Sequence, residues 1–217
     1  MSDRTMITRL RTKARTDRTE LDALLDATRV GHFAFVDDAG GPVVIPTAVV
    51  RDGDRVLAHG STGSRWMRSL SAGRQTCLAV TALDGLVIAR SAFESSFHYR
   101  SAVLFGRCTT VPPDAKPAAL DLITEALLPG RSAEIRRPTT RELEATLVLA
   151  FPISEWSLKV SDDWPEDPPE DVAAQAWAGV LPMVVGYAPP RPAPDLRAGI
   201  GVPASVTALR AAAAPAR

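Results

Sequence analysis

The chain has little that could hold a metal or a disulfide framework. Its 217 residues include two cysteines, Cys77 and Cys108. They lie in separate apolar segments, without Cys-x-x-Cys spacing or a histidine at ligand spacing, and read as buried thiols. The three histidines, His32, His59 and His98, fall in three different segments and give no zinc pattern. An excess of one charge is also missing, since 25 basic residues face 25 acidic ones. That balance argues against the positive field that nucleic-acid binding needs. The Lys and Arg residues before position 20 read as a solvated arm. No apolar run is long enough for a bilayer, and the polar, Arg-rich N-terminus does not look like a secretory signal. A soluble, cytoplasmic protein is expected. There is no Gly-x-Ser-x-Gly elbow, no Walker lysine and no dinucleotide glycine spacing.

What is present is a succession of short strands and a few helices. The spacing predicts a flexible arm over residues 1–15, a folded domain over 16–185 and a Pro- and Ala-rich extension over 186–217. Asp17, with Glu20 three positions on and Leu21, Leu24 and Leu25 following, marks a helix start. Strands are expected over 31–36, 42–50 and 55–59, with Asp52-Gly53 as a hairpin turn. Further strands are expected over 76–83 and 86–89 around Asp84-Gly85, then over 99–111, 147–151 and 155–160. Ser64 can cap a short helix through Leu70, a longer helix is expected over 115–128, and Thr139 with Glu142 suggests another cap. Residues 162–171 read as an acidic, solvated linker. Strands joined by tight turns favour a small antiparallel barrel with helical additions, an α+β sandwich being the alternative.

Three stretches carry candidate chemistry. Between a strand and a helix, His59-Gly60-Ser61-Thr62-Gly63-Ser64-Arg65-Trp66 offers glycines, hydroxyls, amides and a guanidinium suited to a phosphate. A plain strand-to-helix connection reads the same way. Pro46 within Val44-Ile45-Pro46-Thr47-Ala48 marks either an edge strand with a bulge or backbone groups facing a flat heteroaromatic ligand. The stretch from Arg90 and Ser91 to Ser101 gathers arginines, serines, His98 and aromatic rings between two strands. It reads either as a site-lining loop or as a self-satisfied hairpin loop. Trp177 is either a core anchor or a cover for a ring system near a subunit boundary.

In their order and spacing, these runs resemble the pyridoxamine 5'-phosphate oxidase-like family of flavin-binding split barrels, near the nitroimidazole-resistance branch. The resemblance spans roughly residues 15 to 205, and includes Gly31-His32-Phe33-Ala34-Phe35, Leu83-Asp84-Gly85-Leu86-Val87 and Trp177-Ala178-Gly179-Val180-Leu181-Pro182. It implies a mainly β fold with added helices: a six-stranded antiparallel split β-barrel, forming a homodimer with FMN in clefts at the interface. By that resemblance Ser61, Ser64 and Arg65 hold the phosphate, with His59 and Gly60 along the ribityl chain. Pro46, Thr47 and Ala48 lie along the isoalloxazine, while Arg90, Ser91 and Trp177 approach from other loops or the partner chain, and Lys159 is a further contact. Trp66 departs from the pattern, since relatives often carry lysine there. The flavin would carry the electrons. No general acid or base stands out, and the substrate motif of true pyridoxamine 5'-phosphate oxidases is missing. The implied function is an FMN-dependent oxidoreductase acting on a small molecule. The alternative is a non-enzymatic binder of flavin, deazaflavin or haem, with His59 or His98 as haem ligand.

Overall fold

The computed structural model describes residues 3–213. Helix α1 (Arg18–Ala27) starts where Asp17 accepts a hydrogen bond from the Thr19 N–H at 2.8 Å. Its Leu21, Leu24 and Leu25 recur at helical spacing and are all buried. Strand β2 (Val30–Val36) alternates, sending Phe33 and Phe35 into the same core while His32 stays exposed. A turn built on Asp37, whose Oδ1 accepts from the Ala39 and Gly41 amides, leads into β3 (Pro42–Ala48). The Asp52-Gly53 signal is realised between β4 (Val50–Asp52) and β5 (Arg55–Ser61), with Gly53 at φ +58°.

Helix α2 (Arg65–Ser71) separates β5 from β6 (Gln75–Ile88). The two strands expected around Asp84-Gly85 are one continuous strand with a bulge between Leu83 and Gly85. The bulge turns Asp84 toward Arg100, whose Nε and Nη2 donate to its carboxylate at 2.9 and 2.8 Å. It also sets Gly85 beneath a neighbouring strand, where a Cβ would come within 3.0 Å of the Leu181 carbonyl oxygen. Strand β7 (Ser96–Arg107) begins earlier than expected and ends before Cys108, after which β8 (Thr109–Thr110) passes to another sheet. Helix α3 (Lys116–Leu127) follows, and α4 (Thr140–Ala145) starts with the expected reciprocal bonds of Thr139 and Glu142. Strands β9 (Thr146–Pro152) and β10 (Trp156–Ser161), helix α5 (Pro169–Val172), strand β11 (Gly179–Pro182) and helix α6 (Ala204–Ala212) complete the chain.

The strands form two antiparallel sheets. The larger runs β1 (Ala14–Arg15), β10, β7, β6, β2, β3 with β11 added to β6, and the smaller runs β4-β5-β9-β8. There are more strands than the six expected, because breaks at Val49 and Cys108 divide long strands between sheets and two terminal segments add β1 and β11. Strand β1 (Ala14–Arg15) belongs to the segment read as a flexible arm, where Ala14 pairs with Lys159 and Arg4 lies over the Phe105 ring. Residues 1 and 2 of that arm fall outside the described residues. In the extension over 186–217, α6 buries Ser205, whose amide donates to Glu134 at 3.0 Å. Residues 214–217 are also outside the description.

One core fills the space between the sheets, with Phe33, Phe35, Val56, Met67, Leu78, Leu104 and Phe151 meeting the α1 leucines. A second lies on the outer face of the smaller sheet, where Leu57, Val148 and Ala150 pack against Ala119 and Ile123 of α3. Both cysteines are free thiols, and burial pushes Cys108 up to about 12 and raises Cys77 as well. Among the described residues no helix is long and apolar enough to cross a membrane.

Candidate functional site

The two sheets part where β3 and β5 end their ladders. β3 is the last strand of the larger sheet, paired only with β2, so Pro46 opposite His32 interrupts no second ladder. β5 pairs with β4 only through Arg55–Leu57, which leaves the Ala58–Ser61 edge facing away from β9 uncovered by β4. β3 and β5 are in contact. The split therefore brings together the strands that carry Pro46, Thr47 and Ala48 and the strand that carries His59, Gly60 and Ser61.

The turn after β5 is less open than its composition suggests. The Thr62 N–H donates to the Ala145 carbonyl at 2.9 Å, Gly63 N–H to Ser61 Oγ at 3.1 Å, and Ser64 N–H to the Ser61 carbonyl at 3.0 Å. Those three amides are spent inside the protein, so the turn is not a nest of open N–H groups. What it leaves open is side-chain chemistry. Ser64 makes no side-chain cap, and Arg65 is exposed with no ion pair among the described residues. Gly60 is needed for packing, because a Cβ there would lie 3.1 Å from Met67 Cγ in the core. His59 alternates to the opposite face, beside Val148, and its Nδ1 is buried without a hydrogen-bond partner. Trp66 packs against Phe33 at 6.2 Å between ring centroids.

A groove of about 920 Å³ opens from this turn along α2, lined by Arg65, Trp66 and Arg68 on one side and Asp37, Val43 and Ile45 on the other. Arg74 crosses its end, bonded to Asp38 and, at 2.6 Å, to Ser69 Oγ. Arg68 lies one turn along α2 from Arg65 and, like it, has no ion pair among the described residues. Arg68 and the groove are not among the sites expected from the sequence. The signal was there in two arginines at i, i+3 on a short helix with no acidic residue in it.

The remaining predicted residues lie elsewhere. Arg90 donates from its amide and its Nη1 to Asp167 at 2.7 and 2.9 Å, and that carboxylate is only 1% exposed. Ser91 Oγ accepts from the Glu94 amide, Ser95 Oγ bonds the Ser91 carbonyl, and His98 Nε2 meets the Asp163 carbonyl at 2.8 Å. This loop clasps the acidic linker and pairs most of its polar groups, while Arg90 Nε is buried without a hydrogen-bond partner among the described residues. Lys159 sits on β10 between Ala14 and Ser101, four strands along the sheet from β3. Trp177 is 66% exposed and its ring lies over Gly179, where a Cβ would be 2.9 Å away. The structure thus gathers the β3 and β5–α2 residues at one end and Arg90 and Ser91 in the β6–β7 loop. Among the described residues no group of His, Cys, Asp and Glu is placed to hold a metal ion directly.

A sequence profile described as pyridoxamine 5'-phosphate oxidase matches residues 17–160. The chain belongs to the pyridoxamine 5'-phosphate oxidase family. Its structure is similar to that of the FAD and heme binding protein from Mycobacterium smegmatis, with TM-score 0.88 and 49% identity over 91% of this chain and 97% of that one. The flavocytochrome Anf3 from Azotobacter vinelandii matches with TM-score 0.89 and 38% identity over 96% of this chain and 97% of its own. A proposed 5-nitroimidazole antibiotic resistance protein from Bacteroides thetaiotaomicron shares the fold, at TM-score 0.58 and 16% identity over 68% of this chain and 86% of that one. Comparison with curated proteins finds no match. The mainly β split-barrel architecture agrees with the resemblance in the sequence.

Proposed function

We propose that this chain is a flavin-binding redox protein of the flavocytochrome kind, holding its flavin at the split between β3 and β5. One structural observation carries the flavin half: Arg65, exposed and with no ion pair among the described residues, starts α2 directly after the turn that holds Ser61 and Ser64. A guanidinium with neighbouring hydroxyls suits a phosphate group. Pro46, Thr47 and Ala48 supply the adjoining strand edge for the ring system. The flavin, when bound, supplies electron and hydride transfer, while the protein binds it, orients it and excludes water. The expectation from sequence was FMN. The relative at 49% identity, named for FAD and heme, favours FAD over it.

The haem half rests on the same two relatives and on one imidazole. A ligating histidine characteristically gives its other ring N–H to a carbonyl or carboxylate, which fixes the ring. His98 has that arrangement through Nε2 and the Asp163 carbonyl, which leaves the Nδ1 lone pair for iron. His59 has no partner on its buried nitrogen and lacks that support.

A second copy of the chain fits the outer face of the larger sheet. Val30 and Val36 at the two ends of β2 and Val44 opposite Ala34 are 48%, 55% and 59% exposed there. Such uncovered apolar area marks an interaction surface. The absorption spectrum of the purified protein tests the cofactor reading. Flavin bands with a Soret band are expected, and His98→Ala should remove the Soret band while His59→Ala keeps it. A colourless protein that takes up neither flavin nor haem would overturn the proposal.

A further inference from the structure

We propose that the groove between α2 and the β2–β3 hairpin holds the adenosine diphosphate arm of FAD, with Arg68 reading the second phosphate. This rests on the flavin reading above and assigns residues that reading does not use. The groove begins at Arg65, the phosphate candidate, so whatever binds there can continue along it without leaving the protein surface. Arg65 and Arg68 are three residues apart on α2 and face the same cavity, as i, i+3 side chains do. Neither has an acidic partner among the described residues.

Of the other charges in the groove, Arg74 and Asp38 pair with each other, and Asp37 is held by backbone amides. Arg74 is also held by Ser69, and Asp37 uses Oδ1 for the Ala39 and Gly41 amides. Two unspent guanidiniums therefore face a cavity whose floor is apolar, made by Phe35, Val43, Ile45 and Trp66. Two cations match the two charges of a pyrophosphate, and an apolar floor matches a purine face. FMN, with a single phosphate and no purine, would leave Arg68 and the floor unused. Asp37, at the hairpin end, keeps a carboxylate oxygen that suits a ribose hydroxyl or an exocyclic amine and repels a third phosphate.

The same chemistry occurs in nicotinamide dinucleotides, so the test separates the sources. The full chain, stripped of flavin, is titrated with FAD, FMN and riboflavin by flavin fluorescence, with ADP and NADH as competitors. FAD is expected to bind about tenfold more tightly than FMN, the scale of one charge-assisted contact. Arg68→Ala should remove most of that preference while leaving FMN affinity within about twofold, and Arg68→Lys should keep part of it. ADP should compete with FAD more strongly than NADH does. Equal affinities for FAD and FMN in the parent chain, or equal losses for both in Arg68→Ala, overturn the assignment. Stronger competition by NADH than by ADP overturns it in favour of a nicotinamide dinucleotide site. A chain that binds no flavin at all fails earlier, at the flavin reading, and takes this inference with it.

Discussion

Two ends of the molecule carry similar side chains and use them in opposite ways. The β5–α2 end has Ser61, Ser64, Arg65 and Arg68, and the β6–β7 end has Arg90, Ser91, His98 and Arg100. At the second end most of the polar groups are paired, though Arg90 Nε is buried without a hydrogen-bond partner among the described residues. Arg90 bonds Asp167, Arg100 bonds Asp84, His98 meets a backbone carbonyl, and the loop serines bond within the loop. At the first end the turn's amides are spent, but both guanidiniums stand without an acidic partner among the described residues. Arginine-rich composition alone does not separate an anion site from a structural clasp. What separates them is whether a carboxylate arrives from elsewhere in the chain. The acidic linker over 162–171 supplies Asp167 to one end, and among the described residues no segment supplies an acid to Arg65 or Arg68.

The comparison breaks most visibly at Asp167. Replacing it with alanine strands Arg90 beside a nearly buried position and should cost about 3 kcal/mol, since removing one partner of a buried pair leaves the other charge uncompensated. Chemical denaturation measures this, and flavin affinity should stay unchanged. A variant of full stability that has lost flavin would move Arg90 from clasp to cofactor site.

A smaller effect links acid to the β5–α2 turn. The Arg136 guanidinium, with help from the Thr139 amide, holds the Glu142 carboxyl down at about 2. A depressed folded-state value means the contribution is complete above the ordinary glutamate range, near pH ~4.3, and is lost as pH falls toward the depressed value. Glu142 caps α4, and the last residue of α4, Ala145, accepts the Thr62 N–H. Amide exchange should therefore show Thr62 and α4 losing protection together between about pH 4 and pH 2. If α4 loosens and Thr62 stays protected, the turn is held by its own bonds alone.

Much of the architecture was legible because its signals are local. Asp17 and the α1 leucines, the Asp52-Gly53 turn, the Thr139–Glu142 cap and the alternation of β2 each act within a few residues. Asp84-Gly85 misled because a turn and a bulge share the same residues. Only the arrival of β11 along that edge, and of Arg100 across it, makes the bulge the better solution. The pairing of β1 and the burial of Ser205 in α6 depend on partners far along the chain as well. The candidate site was legible to the same degree. Pro46 in an edge strand and Arg65 after a hydroxyl-rich turn could be read directly. That Thr62 would give its amide to Ala145, or that Asp167 would bury itself against Arg90, depends on tertiary contacts that no spacing encodes.

The most direct test of the central claim is the affinity of Arg65→Ala for a phosphorylated flavin against riboflavin, in an otherwise stable chain. If Arg65 holds the phosphate, FMN and FAD should each bind about tenfold more weakly or worse, while riboflavin affinity stays where it was. Equal losses for all three flavins would show that the turn after β5 does not read phosphate.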